Sequence, residues 1–165
     1  MRSMAHRHWV VNASPLILLG KSGQLGLLGA LAERIAVPRA VVREVGAKPD
    51  GDGTLQAINA SASFVIVDDE VPSSDILSWD LGAGETQVIA HAAAHGHERV
   101  VLDDLEARRC AQSMGLAIIG TLGIVGRAKA MGAIHQAGPA IRRLREAGLY
   151  VTDELVARLL REVGE

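Results

Sequence analysis

The chain has one cysteine, Cys110, in 165 residues, and four aromatic side chains, Trp9, Phe64, Trp79 and Tyr150. A single thiol excludes an intrachain disulfide and any cysteine-rich zinc site, and it fits a reducing compartment, so a cytoplasmic location is expected. The shortage of aromatics leaves an aliphatic core and no aromatic-rich platform for stacking unpaired bases. Neither sign of charge dominates: 17 basic residues face 19 acidic ones, a formal net charge of -2. The chain as a whole therefore lacks the basic footprint of a nucleic-acid binder, and any such contact has to be local. Long apolar runs are missing too. The run behind the basic start, Met1 to His8, is interrupted by Asn12, Ser14 and Pro15 and ends at Gly20-Lys21. It is too short and broken for a membrane span, and no cleavage-site pattern follows. No repeat, low-complexity tract or linker is visible. One domain over residues 1–165 is expected, with a core at about 8–131 and a helical extension at about 135–165.

What is present is an alternation of short apolar runs and helical periods. Trp9 to Val11, Arg34 to Val37, Phe64 to Val67, Arg99 to Leu102 and Leu116 to Ile119 read as strands. Ser14-Pro15 reads as a helix start with Ser14 as N-cap, Leu16 to Leu19 forming a short helix. Further helices are expected at Gln24 to Glu33, from Pro38 to about Val45, and over Thr54 to Asn59, Gly84 to His95, Leu105 to Met114 and Thr121 to Met131. Two more close the chain, Pro139 to Ala147 and Asp153 to Val163, the latter capped by Thr152. This order predicts an α/β domain with a mostly parallel sheet.

In such a sheet the carboxyl ends of the strands face one crevice. Acidic residues recur where that crevice should lie: Glu44 on the helix after the second strand, Glu85 opening a helix, and Asp103-Asp104 closing the fourth strand. Each has an ordinary reading. Glu44 is a solvated helix residue, Glu85 complements a helix dipole, and an aspartate caps the helix at Leu105. Carboxylates converging in one crevice repel one another unless a hard cation lies between them. Mg²⁺ or Mn²⁺ takes such oxygen ligands.

The ordered segments Asn12-Ala13-Ser14-Pro15-Leu16-Ile17, Val41-Val42-Arg43-Glu44-Val45, Leu81-Gly82-Ala83-Gly84-Glu85-Thr86 and Leu102-Asp103-Asp104-Leu105-Glu106-Ala107-Arg108 resemble the PIN domain, in the prokaryotic branch related to VapC-type toxin ribonucleases. Ile119-Gly120-Thr121-Leu122-Gly123, followed by Arg127-Ala128-Lys129, is similar to the same branch. The resemblance runs from about Trp9 to the end of the chain. It implies a three-layer α/β/α fold with C-terminal helices, a site for Mg²⁺ or Mn²⁺, and metal-dependent hydrolysis of RNA to a 5′-phosphate and a 3′-hydroxyl. By matching position, Asn12, Glu44, Glu85 and Asp104 hold the metal, Asp103 competes with Asp104, and Ser14 and Thr121 support the substrate. Asn12 departs from the usual first aspartate and removes one negative charge. One firmly held ion is expected, with a second arriving with substrate. The partners implied are RNA and a cognate antitoxin protein. A homodimer is a further expectation, with Gly26, Gly29 and Ala30 offering either a dimer seam or a close contact to the core.

Other signals point elsewhere and are weaker. Gly20-Lys21-Ser22 resembles the end of a P-loop, but the motif needs glycine where Pro15 stands. His91 and His95 lie four apart with His97 just beyond; a zinc site wants a further ligand, so a helix-surface reading is preferred. The arginines Arg108-Arg109 and Arg142, Arg143, Arg145 are solvated faces or contacts to RNA phosphates. The closing helices have a helix-turn-helix outline, yet Leu144, Leu149, Leu155, Val156, Leu159 and Leu160 read as a packing face. The rival function is a metal-poor PIN scaffold that binds RNA or protein without cutting. A dehalogenase-type phosphohydrolase lacks its Asp-x-Asp, because Asn12-Ala13-Ser14 stands there.

Overall fold

In the computed structural model, which describes residues 7–165, the chain alternates strands and helices from end to end. The expected basic start falls, up to His6, outside the described residues. Strand β1 (His8–Val11) leads into helices α1 (Ala13–Lys21) and α2 (Gly26–Leu31). Strand β2 (Arg34–Pro38) leads into α3 (Arg39–Gly46) and α4 (Gly51–Ala60). Strand β3 (Phe64–Val67) is followed by α5 (Ser74–Leu77) and α6 (Ala83–His95), then β4 (Arg99–Val101) and α7 (Leu105–Ser113). Strand β5 (Ile118–Ile119) precedes α8 (Thr121–Ala130), α9 (Ala137–Glu146) and α10 (Asp153–Glu162). The five strands form one parallel sheet in the order β3-β2-β1-β4-β5, flanked by helices in the expected three-layer α/β/α arrangement.

A parallel sheet covered on both faces must be apolar on both, so its central strands do not alternate. Trp9, Val10, Val11, Val100 and Val101 are all fully buried. The chain builds outward from β1 through β2 to β3, then crosses back to add β4 and β5 on the other side. The strand order therefore reverses between β1 and β4, and the crevice opens at their carboxyl ends. Val11 pairs with Val101, and the Asn12 N–H donates to the Val101 carbonyl at 3.1 Å. Asn12 and the Asp103-Asp104 pair thus leave the sheet side by side, although 91 residues separate Asn12 from Asp103.

Two local expectations need correction. Helix α1 begins at Ala13 with Asn12 as N-cap, so Ser14 is in the first turn and Pro15 follows it. The first backbone N–H groups of a helix have no intrahelical acceptor, so proline is tolerated at the third position as well as the first. A Cβ at Gly26 would meet nothing and one at Gly29 only Ser63, and Gly26, Gly29 and Ala30 are all exposed, so these positions are not closed against the core. The P-loop reading falls on different ground. Gly20 lies inside α1, where a Cβ would strike the side chain of Thr54 on α4, so it serves a helix crossing rather than a phosphate loop.

The closing helices dock rather than stand free. Leu144 is fully buried, and Val156, Leu159 and Leu160 pack against the core, with Leu159 lying over Gly126 of α8. Leu155 departs from that face and is 43% exposed. Among the described residues no helix is long and apolar enough to cross a membrane.

Candidate metal and phosphodiester site

Helix α6 begins at the crevice, and its first turn brings two acidic groups together. Glu85 reaches back to accept the Gly82 N–H through Oε2 at 3.2 Å, the carboxylate half of a capping box. Glu44, on α3, accepts the Gly84 N–H through Oε1 at 2.8 Å. Position 84 must be glycine for this approach, because a Cβ there would lie 2.6 Å from Glu44 Oε1 and 2.9 Å from its Cδ. Two carboxylates crowd the positive end of one helix, where the backbone dipole favours them.

The aspartate pair divides its work. Asp104 caps α7, accepting the Ala107 N–H through Oδ2 at 2.9 Å, and its side chain also lines the crevice. Asp103 spends both oxygens on Thr121. Its Oδ1 accepts the Thr121 N–H at 2.7 Å and its Oδ2 accepts the Thr121 hydroxyl at 2.5 Å. Thr121 is fully buried, so it supports Asp103 from below and does not meet solvent itself.

A cavity of about 400 Å³ is lined by Asn12, Ser14, Glu85, Asp103 and Asp104. A second, of about 320 Å³, is lined by Asn12, Ser14, Glu44, Lys48 and Glu85. Their common wall makes them one groove with Asn12, Ser14 and Glu85 at its waist. Electrostatics report the same convergence. Burial and then the charges of Asp104 and Glu44 raise the Glu85 carboxyl above the usual glutamate range, against the opposing pull of the Gly82 N–H. Ser14 is exposed at the groove, whereas Asn12 is only 4% exposed.

Asn12 supplies the test of whether a hard cation suits this groove. Its Oδ1 is buried and has no hydrogen-bond partner, a costly arrangement for an amide oxygen unless something else coordinates it. The donors around it are carboxylate oxygens, with no sulfur or ring nitrogen among the lining residues. An all-oxygen set with an orphaned oxygen fits Mg²⁺ or Mn²⁺.

Three residues near the groove, Lys48, Tyr150 and Arg158, were not expected there from the sequence. Lys48 lines it beside Glu44. Tyr150, 98% exposed, stands at its rim on the connector between α9 and α10. Arg158 and Arg108 line an adjoining cavity of about 490 Å³ that meets the groove at Asp103, Leu149 and Tyr150. A lone tyrosine on the connector of residues 148–151 was the available signal for the second of these. Arg108 is half-buried and donates to the Leu102 carbonyl at 3.2 Å, so it is not a freely solvated arginine; Arg109 pairs with Glu106.

The histidines also differ from expectation. His95 is exposed, but His91 is 7% exposed, so the helix-surface reading fails for it. The His91 and His95 rings lie 4.4 Å apart between centroids, and His97 packs on His91 at 4.8 Å. Burial and then the neighbouring His95 push the His91 imidazole below its usual range, and burial pushes that of His97 down to about 4. Buried rings in this setting are neutral at pH 7.

A family model described as a PIN domain matches residues 8–165, nearly the whole chain, and the chain belongs to the PIN-domain family. No curated protein matches it. Membership brings a metal-dependent nuclease architecture and a nucleic-acid substrate class.

Proposed function

We propose that this PIN domain is a divalent-metal-dependent endoribonuclease that hydrolyses RNA phosphodiester bonds, acting in the cytoplasm as the toxin of a toxin–antitoxin pair. The observation that carries the reading is the meeting of Glu44, Glu85 and Asp104, which share an electrostatic neighbourhood around the orphaned Asn12 oxygen. Asn12, Glu44, Glu85 and Asp104 would hold Mg²⁺ or Mn²⁺. When bound, such an ion lowers the pKa of an attached water and neutralises phosphoryl charge.

The chain's own groups do the rest. Asp103, held at both oxygens by Thr121, fixes the turn that presents Asp104. Ser14 lies on the groove floor, within reach of a substrate oxygen. Lys48 and Arg158 place positive charge to either side, where a single strand's phosphates would run. Tyr150 offers an exposed ring on which one base stacks, a contact that tolerates any base. This local arrangement answers the neutral overall charge.

Asn12 also sets a limit. With one anionic ligand fewer, the free protein should bind its ion weakly, and Mn²⁺ better than Mg²⁺. The same residue sustains the second reading, an RNA- or protein-binding scaffold without cleavage.

The deciding experiment incubates purified chain with single-stranded RNA and Mn²⁺. Cleavage is expected, abolished by EDTA and reduced at least about 100-fold in Asp104→Asn and Glu85→Gln, which keep shape and remove charge. Asn12→Asp should tighten metal binding. If the wild type cuts nothing and Asn12→Asp restores nothing, the scaffold reading stands. If both charge-removing variants cut as well as the parent, the assigned roles are wrong.

A further inference from the structure

His91 and His95 project from the last turns of α6, and Glu70, on the loop between β3 and α5, meets them there. His95 Nε2 lies 2.6 Å from Glu70 Oε1, and His91 Nδ1 lies 3.9 Å from the same oxygen. One donor atom from each residue falls within 4.8 Å of the other two. We propose that Glu70, His91 and His95 form a second cation site, distinct from the acidic groove, for a divalent transition metal of the Zn²⁺ class.

The helix supplies two imidazoles four residues apart, a spacing that puts both on one face and suits chelation of a single ion. The third ligand, absent from the local sequence, comes from a loop 21 residues upstream of His91. That loop is tied down. The Glu70 N–H donates to Gln87 Oε1 at 2.7 Å, and Gln87 Nε2 donates to the Glu70 carbonyl at 2.9 Å. Gln87 is one turn before His91 on the same helix, so the carboxylate is held against the two rings before any ion arrives. Such prior organisation is what a binding site needs from its supporting residues.

A plain ion pair accounts for His95 and Glu70 but leaves His91 unexplained. The His91 side chain is only 9% exposed, and its Nδ1 is buried without a hydrogen-bond partner. A buried ring nitrogen facing a carboxylate oxygen beyond hydrogen-bond distance is completed by an ion between them. Tetrahedral Zn²⁺ with bonds near 2.1 Å needs its donors about 3.4 Å apart, so the 3.9 Å separation of His91 from Glu70 must close and the 2.6 Å contact of His95 with Glu70 must open. The exposed His95 side chain has the freedom to do this, while the His97 ring keeps His91 in place.

Donor chemistry separates the two sites. Two nitrogens and one carboxylate favour Zn²⁺, Co²⁺ or Ni²⁺ over Mg²⁺, whereas the groove offers only oxygens. Three protein ligands leave one position for water, so the ion is exchangeable rather than sealed in. Its effect reaches beyond the triad. Asp69, adjacent to Glu70, accepts the Ala40 N–H at 3.0 Å and pairs with Arg43 at 2.9 Å, both at α3. A metal on Glu70 therefore clasps the loop that bridges α3 and α6, the helices that carry Glu44 and Glu85.

The test uses untagged full-length chain, stripped with chelator, in an Asp104→Asn, Glu85→Gln background that disables the groove. Titration with Co²⁺ should give visible ligand-field absorption saturating at one equivalent, and Zn²⁺ should displace it and raise the melting temperature. Adding His95→Ala should abolish the absorption and the thermal shift. Glu70→Gln should weaken binding by more than about tenfold. Both substitutions are at solvent-accessible side chains, and far-UV circular dichroism with a cooperative melt establishes that each variant is folded. Absence of saturable Co²⁺ binding, or binding indifferent to both His95→Ala and Glu70→Gln, overturns the proposal. Because the background removes groove ligands, neither result depends on whether the chain cuts RNA.

Discussion

Helix α6 presents different chemistry at its two ends. Its first turn carries Glu85, faces Glu44, and opens on a groove of oxygen donors. Its last turns carry His91 and His95 and meet a single carboxylate. Acids suit the positive N-terminus, and a cation held by the imidazoles would suit the negative C-terminus, so the dipole of one helix complements both kinds of site. The ends also differ in assembly. The groove draws ligands from the turns that follow β1 and β4 and from α3 and α6, which only the sheet brings together. The histidine cluster needs one helix and one loop bonded to it. The first is a product of topology, the second largely of local spacing.

If the two ends are independent, they should come apart under mutation. The largest expected effect is the contrast between Glu44→Gln, which should reduce RNA cleavage by about 100-fold or more, and His95→Ala, which should leave the rate within about twofold. Parallel cleavage assays in Mn²⁺ check this. Equal losses would show that the clasp controls the groove and that the comparison is false.

Gly84→Ala sharpens the groove half. The new methyl collides with the end of the Glu44 side chain, which can swing away, and not with backbone. Stability should fall by no more than about 1 kcal/mol, while the displaced carboxylate should weaken Mn²⁺ binding by roughly tenfold. Thermal melts beside calorimetric titration separate the two; a large loss of stability with unchanged binding would mean that Glu44 is structural.

The smallest effects are in the pH dependence of folding. The folded pKa of His97, about 4, is depressed below its ordinary value of 6.5. Between those values the unfolded chain takes up a proton that the folded chain refuses, so stability rises with pH through that window and is lost on acidification. Denaturant melts at pH 4.5 and 7 should differ through this group by roughly 1–2 kcal/mol after allowance for screening, and His97→Gln should flatten the difference. The groups bearing on it are His91, His95 and His8. Glu85 acts in the opposite sense. Its carboxyl is raised, so its favourable share is present at low pH and is lost as pH climbs through the raised value. At pH 7 without metal, Glu85→Gln should therefore melt roughly 1–3 °C higher, and the gain should vanish when Mn²⁺ is added.

Most of the fold was legible because its signals are local. Phe64 to Val67 is a strand with the expected bounds, and Thr152 caps α10 through its hydroxyl, accepting the Leu155 N–H at 3.2 Å. Short α5 escaped notice because four residues hold too little periodicity. The start of α1 differs from expectation because Ser14 and Pro15 satisfy a capping rule two residues too late. The groove was legible in outline from the order of its acids. The division of labour between Asp103 and Asp104 was not, since Thr121 lies 17 residues beyond the pair.

By itself the sequence determined the strands, the helices and the chemical types on each: apolar runs that must be covered on both faces, acids at helix starts, two histidines one turn apart. The tertiary structure decided which of these share a solvent shell. Reversal of strand order between β1 and β4 placed Asn12 beside Asp104 and left its oxygen without a partner. The pairing of Gln87 with the backbone of Glu70 gave the histidines their third ligand. Local pattern is set by neighbours three or four residues away, whereas a site is set by distance in space, and only the packed sheet converts one into the other.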